Sequence, residues 1–168
     1  MDTSALIAGF DPFAIKEKAY STPLVKEELK SSSTPNLRFQ TAVENKKLEV
    51  KQPESKFIDI VIQQSKRTGD FKYLSQADIE VLALALQLKS SGENPTVVTD
   101  DYSMQNVANK LGIEFSPLTT FGIKYRFKWI LYCPACRKKY PPDYKPKKCE
   151  ICGTELKRKP LGKKRVKC

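Results

Sequence analysis

Residues 74–89 read LSQADIEVLALALQLK and carry the strongest structural pattern in the chain. Apolar residues fall on nearly every side of a 3.6-residue repeat, which predicts a helix enclosed by other elements rather than one lying on the surface. Ser75 is placed to cap this helix, because its hydroxyl can accept from free amides of the first turn. The run TVV at 96–98 follows and predicts a central strand. A buried helix next to a buried strand indicates a sheet covered by helices.

The same alternation of helix and strand patterns extends over residues 1–118. Short β-branched or apolar runs predict strands at 48–50 and 113–115, and Gly69 and Gly112 stand where helices commonly stop. Alternating strands and helices form a parallel sheet with helices on both faces, so we expect an α/β fold here. The predicted helices cover 24–30, 37–45, 55–67, 75–89 and 103–111, and residues 3–8 are predicted to form a helix or a turn.

The chain has a formal net charge of +11 that is unevenly distributed. Residues 1–120 hold fourteen Lys and Arg against sixteen acids, whereas residues 121–168 hold sixteen against three. A basic segment with interleaved aromatic side chains can neutralise phosphates and stack on unpaired bases, so RNA or another polyanion is the expected partner. A solvated, flexible tail is the alternative. The aromatic residues are Tyr125, Phe127, Trp129, Tyr132, Tyr140 and Tyr144.

Four of the five cysteines form two close pairs, Cys133 with Cys136 and Cys149 with Cys152. Two C-x₂-C pairs at this separation predict tetrahedral Zn²⁺ with four thiolates, and a closed site of this kind is structural. Cys168 has no partner at a suitable spacing. The basic residues between the pairs are expected to grip RNA, although some could only keep the module soluble: Arg137, Lys138, Lys139, Lys145, Lys147 and Lys148.

These patterns divide the chain into four parts. Residues 1–118 form the α/β domain, 119–130 a linker able to pair as a strand, 131–157 the zinc ribbon, and 158–168 a basic tail too charged to pack, which we expect to be disordered. No apolar run approaches the roughly 18 residues that span a bilayer, and the start lacks a signal core. We expect a cytoplasmic protein without a membrane partner, since its cysteines are spaced for metal rather than for disulfides.

Five acidic residues are candidates for a second metal site: Asp2, Glu28, Asp78, Asp100 and Asp101. Functional crevices of open parallel sheets lie beyond the carboxyl ends of the strands, where Asp100 and Asp101 are predicted. Clustered carboxylates repel each other unless a hard cation such as Mg²⁺ or Mn²⁺ lies among them. The chain has no histidine, so hydrolytic chemistry would rest on carboxylates and a metal.

Each acid also has an ordinary structural explanation. Asp78 could complete the cap that Ser75 begins, and Asp100 and Asp101 could form a turn before the next helix. Glu28 could simply face solvent beside a lysine. Four such coincidences are less expected than one shared pocket.

Four stretches resemble a known family: DTSA at 2–5, VKEEL at 25–29, LSQADIEVLALA at 74–85 and VTDDYSMQN at 98–106. In this order they are similar to the PIN-domain nucleases, and with the four-cysteine ribbon behind them they resemble the archaeal Nob-type endoribonucleases, which mature the 3′ end of small-subunit ribosomal RNA. The resemblance implies a PIN-like fold and a divalent-metal-dependent endoribonuclease. It also implies precursor rRNA in a pre-ribosomal particle as partner, and no small-molecule cofactor.

The resemblance further implies that the acids form a quartet that binds Mg²⁺ or Mn²⁺. Asp101 matches the family pattern better than Asp100, and Glu28 better than Glu27, because an aliphatic residue follows Glu28. Two alternatives stay open: a PIN nuclease that cuts other RNA, and a non-catalytic RNA-binding assembly factor. The implied quartet is Asp2, Glu28, Asp78 and one or both of Asp100 and Asp101.

The N-terminus departs from the family pattern. In the family the first Asp ends a buried apolar strand, whereas here only Met1 precedes Asp2. That strand is therefore missing or starts upstream. Either the true N-terminus is longer, or Asp2 and the metal site are less well held than in relatives.

Overall fold

The computed structural model describes residues 1–31, 33–118, 125–141 and 143–165. Within these residues the helices are α1 Thr3–Ile7, α2 Pro23–Leu29, α3 Ser33–Glu44, α4 Ser55–Thr68, α5 Gln76–Ser90 and α6 Tyr102–Leu111. The strands are β1 Ala19–Ser21, β2 Leu48–Val50, β3 Thr96–Val98, β4 Glu114–Ser116, β5 Tyr125–Tyr132, β6 Lys139–Tyr140 and β7 Lys157–Arg165. None of the helices described here is long and apolar enough to cross a bilayer.

The sheet of the α/β domain consists of two parallel strand pairs, β1 with β2 and β3 with β4. Met1 and Asp2 join these pairs. The Met1 amine donates to the Tyr20 carbonyl at 2.7 Å, and the Asp2 amide donates to the Val98 carbonyl at 3.4 Å. The Ser21 hydroxyl also donates to the Met1 carbonyl at 3.1 Å. We call Met1 and Asp2 the seam, because they join the two strand pairs near the carboxyl ends of β1 and β3.

A cavity of about 490 Å³ lies between the two strand pairs. Met1 lines it together with Ala19–Ser21 of β1 and Thr96–Val98 of β3, and apolar side chains of α5 line another side. The cavity therefore lies beside the seam, between the strands that the seam joins.

Helix α5 lies in the interior of the α/β domain, as its sequence pattern predicts. Leu82 has no exposed surface, and the helix packs against α2, α4, α6 and β3. The predicted cap forms: the Ser75 hydroxyl accepts from the Asp78 amide at 3.1 Å, while the Asp78 carboxylate accepts from the Ser75 amide at 2.7 Å. Gly69 and Gly112 end α4 and α6 with φ of 82° and 68°, a region that glycine enters without steric penalty.

Two elements of this domain differ from the sequence expectations. The pattern does not predict β1, because three residues are too few to show a strand period and its structure comes from pairing with β2. Helix α3 begins at Ser33 rather than near residue 37. Pro35 does not prevent this start, since proline is tolerated in the first turn of a helix.

The C-terminal region forms an antiparallel sheet with strand order β6-β5-β7. Residues 125–130, predicted as a linker able to pair as a strand, lie in β5 and pair with β7. The prediction of a disordered tail is wrong for residues 158–165, because the backbone of this charged run satisfies its hydrogen bonds on β5. Residues 119–124 of the predicted linker, and 166–168 with Cys168, lie outside the described residues.

Candidate active site and metal centre

Asp2 is held at the seam by two hydroxyl groups. Its carboxylate accepts from Ser4 at 2.5 Å and from Thr99 at 2.8 Å, and only 3% of the residue is exposed. Thr99 is fully buried and directly follows β3. The hydrogen bond from Thr99 therefore fixes Asp2 at the carboxyl end of β3.

Glu28 reaches the same region through Thr3, the neighbour of Asp2. The Thr3 hydroxyl donates to the Glu28 carboxylate, although Glu28 lies on α2 and its side chain is exposed. Glu27 instead forms an exposed ion pair with Lys30 at 2.5 Å. These contacts favour Glu28 over Glu27 as a site residue.

Asp78 lies in the first turn of α5 and interacts with two other candidate acids. Burial raises the pKa of Asp78 to about 6, repulsion from the Asp2 and Asp101 carboxylates adds to the rise, and hydrogen bonds with Ser75 oppose it. Such repulsion requires that Asp2 and Asp101 each lie near Asp78. Asp78 is thus a helix cap that lies near two other candidate acids.

The two neighbouring acids after β3 have different partners. The Asp101 carboxylate caps α6 by accepting from the Ser103 amide at 2.5 Å. The Asp100 carboxylate accepts from the Leu118 amide at 3.0 Å, beyond the end of β4. Since Asp101 also contributes to the pKa of Asp78, the geometry favours Asp101 as the site residue and gives Asp100 a part in holding the segment after β4.

The acids share a neighbourhood without forming a compact ligand set. Among the residues that the structure describes, the one group of at least three acids or cysteines whose ligand atoms all lie within 4.8 Å of each other is the cysteine group. The carboxylates instead accept hydrogen bonds from nearby hydroxyls and amides, which stabilise negative charge. Their oxygen atoms and mutual repulsion fit a hard cation such as Mg²⁺ or Mn²⁺.

The raised pKa of Asp78 predicts a pH-dependent stability. The folded protein holds the proton up to about pH 6, whereas the ordinary value is 3.8. The stabilisation is therefore complete below the lower value and lost as pH rises through the higher one. Because the side chain is only partly buried, we expect a loss of about 1–2 kcal/mol in the free energy of unfolding. Urea unfolding at several pH values without Mg²⁺ or Mn²⁺ measures it, and Asp78→Asn should remove this part of the slope.

The sequence does not show which residues support the acids. Ser4 and Thr99 hold Asp2, and the Thr99 hydroxyl also accepts from the Asp101 amide at 3.1 Å. Ser4 lies in the DTSA stretch and Thr99 in the VTDDYSMQN stretch. In the sequence, the feature that could have indicated their role is a hydroxyl residue two positions from a candidate acid. Their role needs the tertiary structure, because Thr99 and Asp2 are 97 positions apart.

The four paired cysteines come together as their spacing predicts. The Sγ atoms of Cys133 and Cys152 are 3.4 Å apart, as are those of Cys136 and Cys149. Zinc bonds to sulfur of about 2.3 Å in a tetrahedron place sulfur atoms about 3.8 Å apart. The group is therefore close to the size that Zn²⁺ requires, and its four sulfur donors leave no position for a substrate.

The ribbon has its own small core, and one aromatic prediction is wrong. Tyr140 is buried with Cys133 and Cys149, its ring lies 4.5 Å from that of Tyr144, and its hydroxyl is 3.0 Å from the Cys149 sulfur. The hydrogen bond from Tyr140 lowers the pKa of the Cys149 thiol to about 6, which favours the thiolate form that a Zn²⁺ site requires. Tyr140 is thus part of the metal module and is not available for stacking on bases.

The candidate RNA-binding side chains all lie on the surface of the ribbon. Lys138 forms an ion pair with Glu150, so part of its charge is compensated within the protein. Exposure suits both expected roles, contact with RNA and solubility. The exposed residues are Arg137, Lys138, Lys139, Lys145, Lys147 and Lys148.

Comparison with known proteins gives matches along the whole chain. Residues 1–88 match the family described as the PIN domain of ribonuclease. The chain is 41% identical over 167 residues to Endoribonuclease Nob1 of Methanocaldococcus jannaschii, covering 99% of this chain and 79% of that protein. It is 34% identical over 159 residues to Endoribonuclease Nob1 of Methanothermobacter thermautotrophicus, covering 95% and 91%.

A third relative carries a different name. Ribonuclease VapC1 of Thermoplasma acidophilum is 35% identical over 158 residues, covering 94% of this chain and 76% of that protein. With such coverage, each of the three similarities extends over both the α/β domain and the ribbon. From the domain match and from identities above 30% over almost its full length, the chain belongs to the Nob1 family of PIN-domain endoribonucleases.

Proposed function

We propose that this endoribonuclease uses Mg²⁺ or Mn²⁺, held by Asp2, Glu28, Asp78 and Asp101, to cut precursor small-subunit rRNA at its 3′ end. The observation that supports the metal is the repulsion of Asp78 by Asp2 and Asp101, which helps to raise the pKa of Asp78. A divalent cation would offset this repulsion. The family resemblance supports the ribosomal target, within a pre-ribosomal particle in the cytoplasm.

Three of the acids would bind the cation from positions that hydrogen bonds in the protein hold fixed. Asp2 is fixed by the seam and by the Thr99 hydroxyl, Asp78 by the cap of α5, and Asp101 by the cap of α6. When bound, the divalent ion supplies a Lewis acid that activates water and neutralises charge on the phosphodiester. Attachment to helix caps and to the sheet keeps the carboxylates from rearranging, which favours a preorganised site.

The zinc ribbon would hold the substrate next to these acids. Residues 121–168 contain sixteen Lys and Arg and three acids, so this region attracts the phosphate backbone without reading a sequence. The zinc itself has a structural role, because all four of its expected ligands are cysteines. In this proposal the C-terminal region binds the RNA, and the acids of the α/β domain cleave it.

The target can be tested with three RNA substrates of equal length. We expect Mn²⁺-dependent cleavage of a fragment spanning the 3′ end of mature small-subunit rRNA at one position. A transfer RNA precursor and a messenger RNA fragment should be cut at least about tenfold more slowly, a difference of about 1.4 kcal/mol in transition-state stabilisation. Primer extension or end-labelled gels locate the cut. Equal cleavage of all three would favour a PIN nuclease acting on other RNA.

The basic ribbon surface predicts a change in salt dependence. Replacing Lys145, Lys147 and Lys148 with Gln removes three cations and should reduce the slope of log affinity against log salt by about 0.7 for each phosphate that is no longer neutralised. Fluorescence anisotropy with catalytically silent Ca²⁺ measures the slope. The matched control replaces Lys16, Lys46 and Lys47 of the α/β domain, and an equal loss of affinity there would argue against a specific role of the ribbon.

A further inference from the structure

One buried ion pair joins the C-terminal sheet to the α/β domain. Arg158 of β7 donates to the Asp70 carboxylate at 2.7 Å, and the exposed fractions of the two side chains are 19% and 2%. The two residues are 88 positions apart. The other described ion pairs, such as Lys56 with Glu54, have more exposed side chains. A buried, charge-assisted hydrogen bond is stronger and less screened by salt than such surface pairs.

Contacts other than the ion pair with Arg158 also hold Asp70 in place. Gly69 ends α4 in the left-handed conformation, and the Asp70 amide then donates to the Ser65 carbonyl at 2.9 Å. The side-chain amide of Asn106, on α6, donates to the second carboxylate oxygen of Asp70. Burial raises the pKa of Asp70, and the hydrogen bonds from Asn106 and Arg158 oppose that rise. The acid is therefore bound from two sides by elements that lie far apart in sequence.

Arg158 also stacks on an aromatic ring. The centre of its guanidinium lies 4.0 Å from the centroid of the Tyr73 ring, a distance suited to a cation–π interaction. Lys72, beside Tyr73, donates to the Tyr144 carbonyl of the ribbon at 3.5 Å. The turn at 70–73 thus contacts both β7 and the ribbon, and we call Arg158, Asp70, Tyr73 and Asn106 the clamp.

The clamp is connected to two of the candidate catalytic acids. The turn at 70–73 leads directly into Ser75 and the capping box that holds Asp78. Asn106 lies on α6, whose first turn is capped by Asp101. Strand β5 also lies close to α4 and α6. The clamp therefore sets where β7 lies relative to the elements that carry Asp78 and Asp101.

We propose that Arg158 is a positioning residue, which fixes the zinc ribbon at a set distance and orientation from the acidic pocket. This inference rests on the proposed function, because it assumes that the ribbon holds RNA. A docked ribbon presents bound RNA to the acids at a higher effective concentration than a ribbon on a free tether. Its effect should appear only with RNA long enough to contact both parts of the chain.

The test compares Arg158→Gln, Asp70→Asn and the double variant on a long substrate and on a minimal one that reaches the acids alone. We expect kcat/KM on the long RNA to fall about tenfold in each single variant, mainly through KM, with no further fall in the double variant because both changes break one interaction. The minimal RNA should be cut at the wild-type rate. Lys56→Gln is the matched control, since it also removes one cation from an ion pair.

Asp70→Asn separates positioning from direct contact with RNA. If Arg158 only bound phosphate, Asp70→Asn would leave cleavage of the long RNA unchanged or improve it, which would overturn the inference. Arg158→Lys keeps the charge and should recover part of the activity. Circular dichroism confirms folding of each variant, so that a general loss of structure is recognised.

Small-angle X-ray scattering tests the docking without any RNA. A compact chain of this length has a radius of gyration of about 15 Å, and we expect a larger value in Arg158→Gln and in Asp70→Asn. If both variants kept the wild-type radius of gyration and the wild-type dependence of kcat/KM on RNA length, the inference about Arg158 would be overturned. The proposed function would not be affected by that result. A wild type that cuts long and minimal RNA equally well would contradict the RNA role of the ribbon in the proposed function.

Discussion

Asp78→Asn will lower the rate of RNA cleavage by about 10²–10³-fold while the protein becomes more stable. The loss of rate is expected because the variant removes one carboxylate from the group that would hold the catalytic cation. The gain in stability is expected because the buried carboxylate of Asp78 is repelled by Asp2 and Asp101. For a partly buried side chain we expect about 1 kcal/mol at neutral pH without divalent cations, or about 2–4 °C in Tm.

Asparagine at position 78 leaves the cap of α5 in place. The experiment therefore measures the loss of the carboxylate charge without a loss of the cap. Its side-chain oxygen can still accept from the Ser75 amide, as the Asp78 carboxylate does at 2.7 Å. Ser75→Ala is the matched control: it removes the hydroxyl that accepts from the Asp78 amide and should cost about 1 kcal/mol in stability with little change in cleavage. Thermal unfolding and single-turnover cleavage are measured on both variants. Equal cleavage by wild type and Asp78→Asn would remove Asp78 from the active site.

Cys149→Ser should abolish zinc binding and unfold the ribbon. Structural zinc contributes about 10–16 kcal/mol in small cysteine modules, and the core around Cys149 is small, with Cys133, Tyr140 and a few partly buried side chains. The loss of one thiolate should reduce zinc affinity by more than about 100-fold, since even changes to groups behind the ligands cost about 10–100-fold. Bound zinc per chain, measured by mass spectrometry, should fall from one to near zero.

Cys168→Ser is the control for this experiment, because its spacing gives it no partner in the cysteine pattern. It should keep one zinc ion and wild-type RNA affinity. In Cys149→Ser the helical signal of residues 1–118 should remain, while RNA affinity falls to that of the α/β domain. Zinc retained in Cys149→Ser, or lost equally in Cys168→Ser, would contradict a site formed by the two cysteine pairs.

The elements that sequence predicts well are those whose signals are local. Helix α5 shows its cap in Ser75 and Asp78 and its burial in its composition, and Gly69 and Gly112 mark two helix ends. The cysteine group is equally local, since the spacing within each pair sets its geometry. In these cases the residues that determine the local structure lie within a few positions of one another. The sequence alone is therefore enough to predict it.

The remaining features depend on contacts between distant residues. Strand β1 exists because β2 pairs with it, and the charged run in β7 is ordered because β5 pairs with it. Composition alone favours disorder for β7, and the buried partner of Arg158 lies 88 positions earlier. For the site, the sequence predicts which acids are candidates, but the choice of Asp101 over Asp100 comes from their hydrogen-bond partners Ser103 and Leu118.

The seam makes any residues placed ahead of Met1 relevant to the active site, because Asp2 follows Met1 directly. The Met1 nitrogen donates to the Tyr20 carbonyl, and the cavity beside it lies between β1 and β3. An affinity tag joined to Met1 would convert the amine into an amide and send the added residues into or past this cavity. Residues ahead of Met1, whether native or added with a tag, would therefore share the surroundings of Asp2, and kinetic comparisons between variants require the same residues at this point.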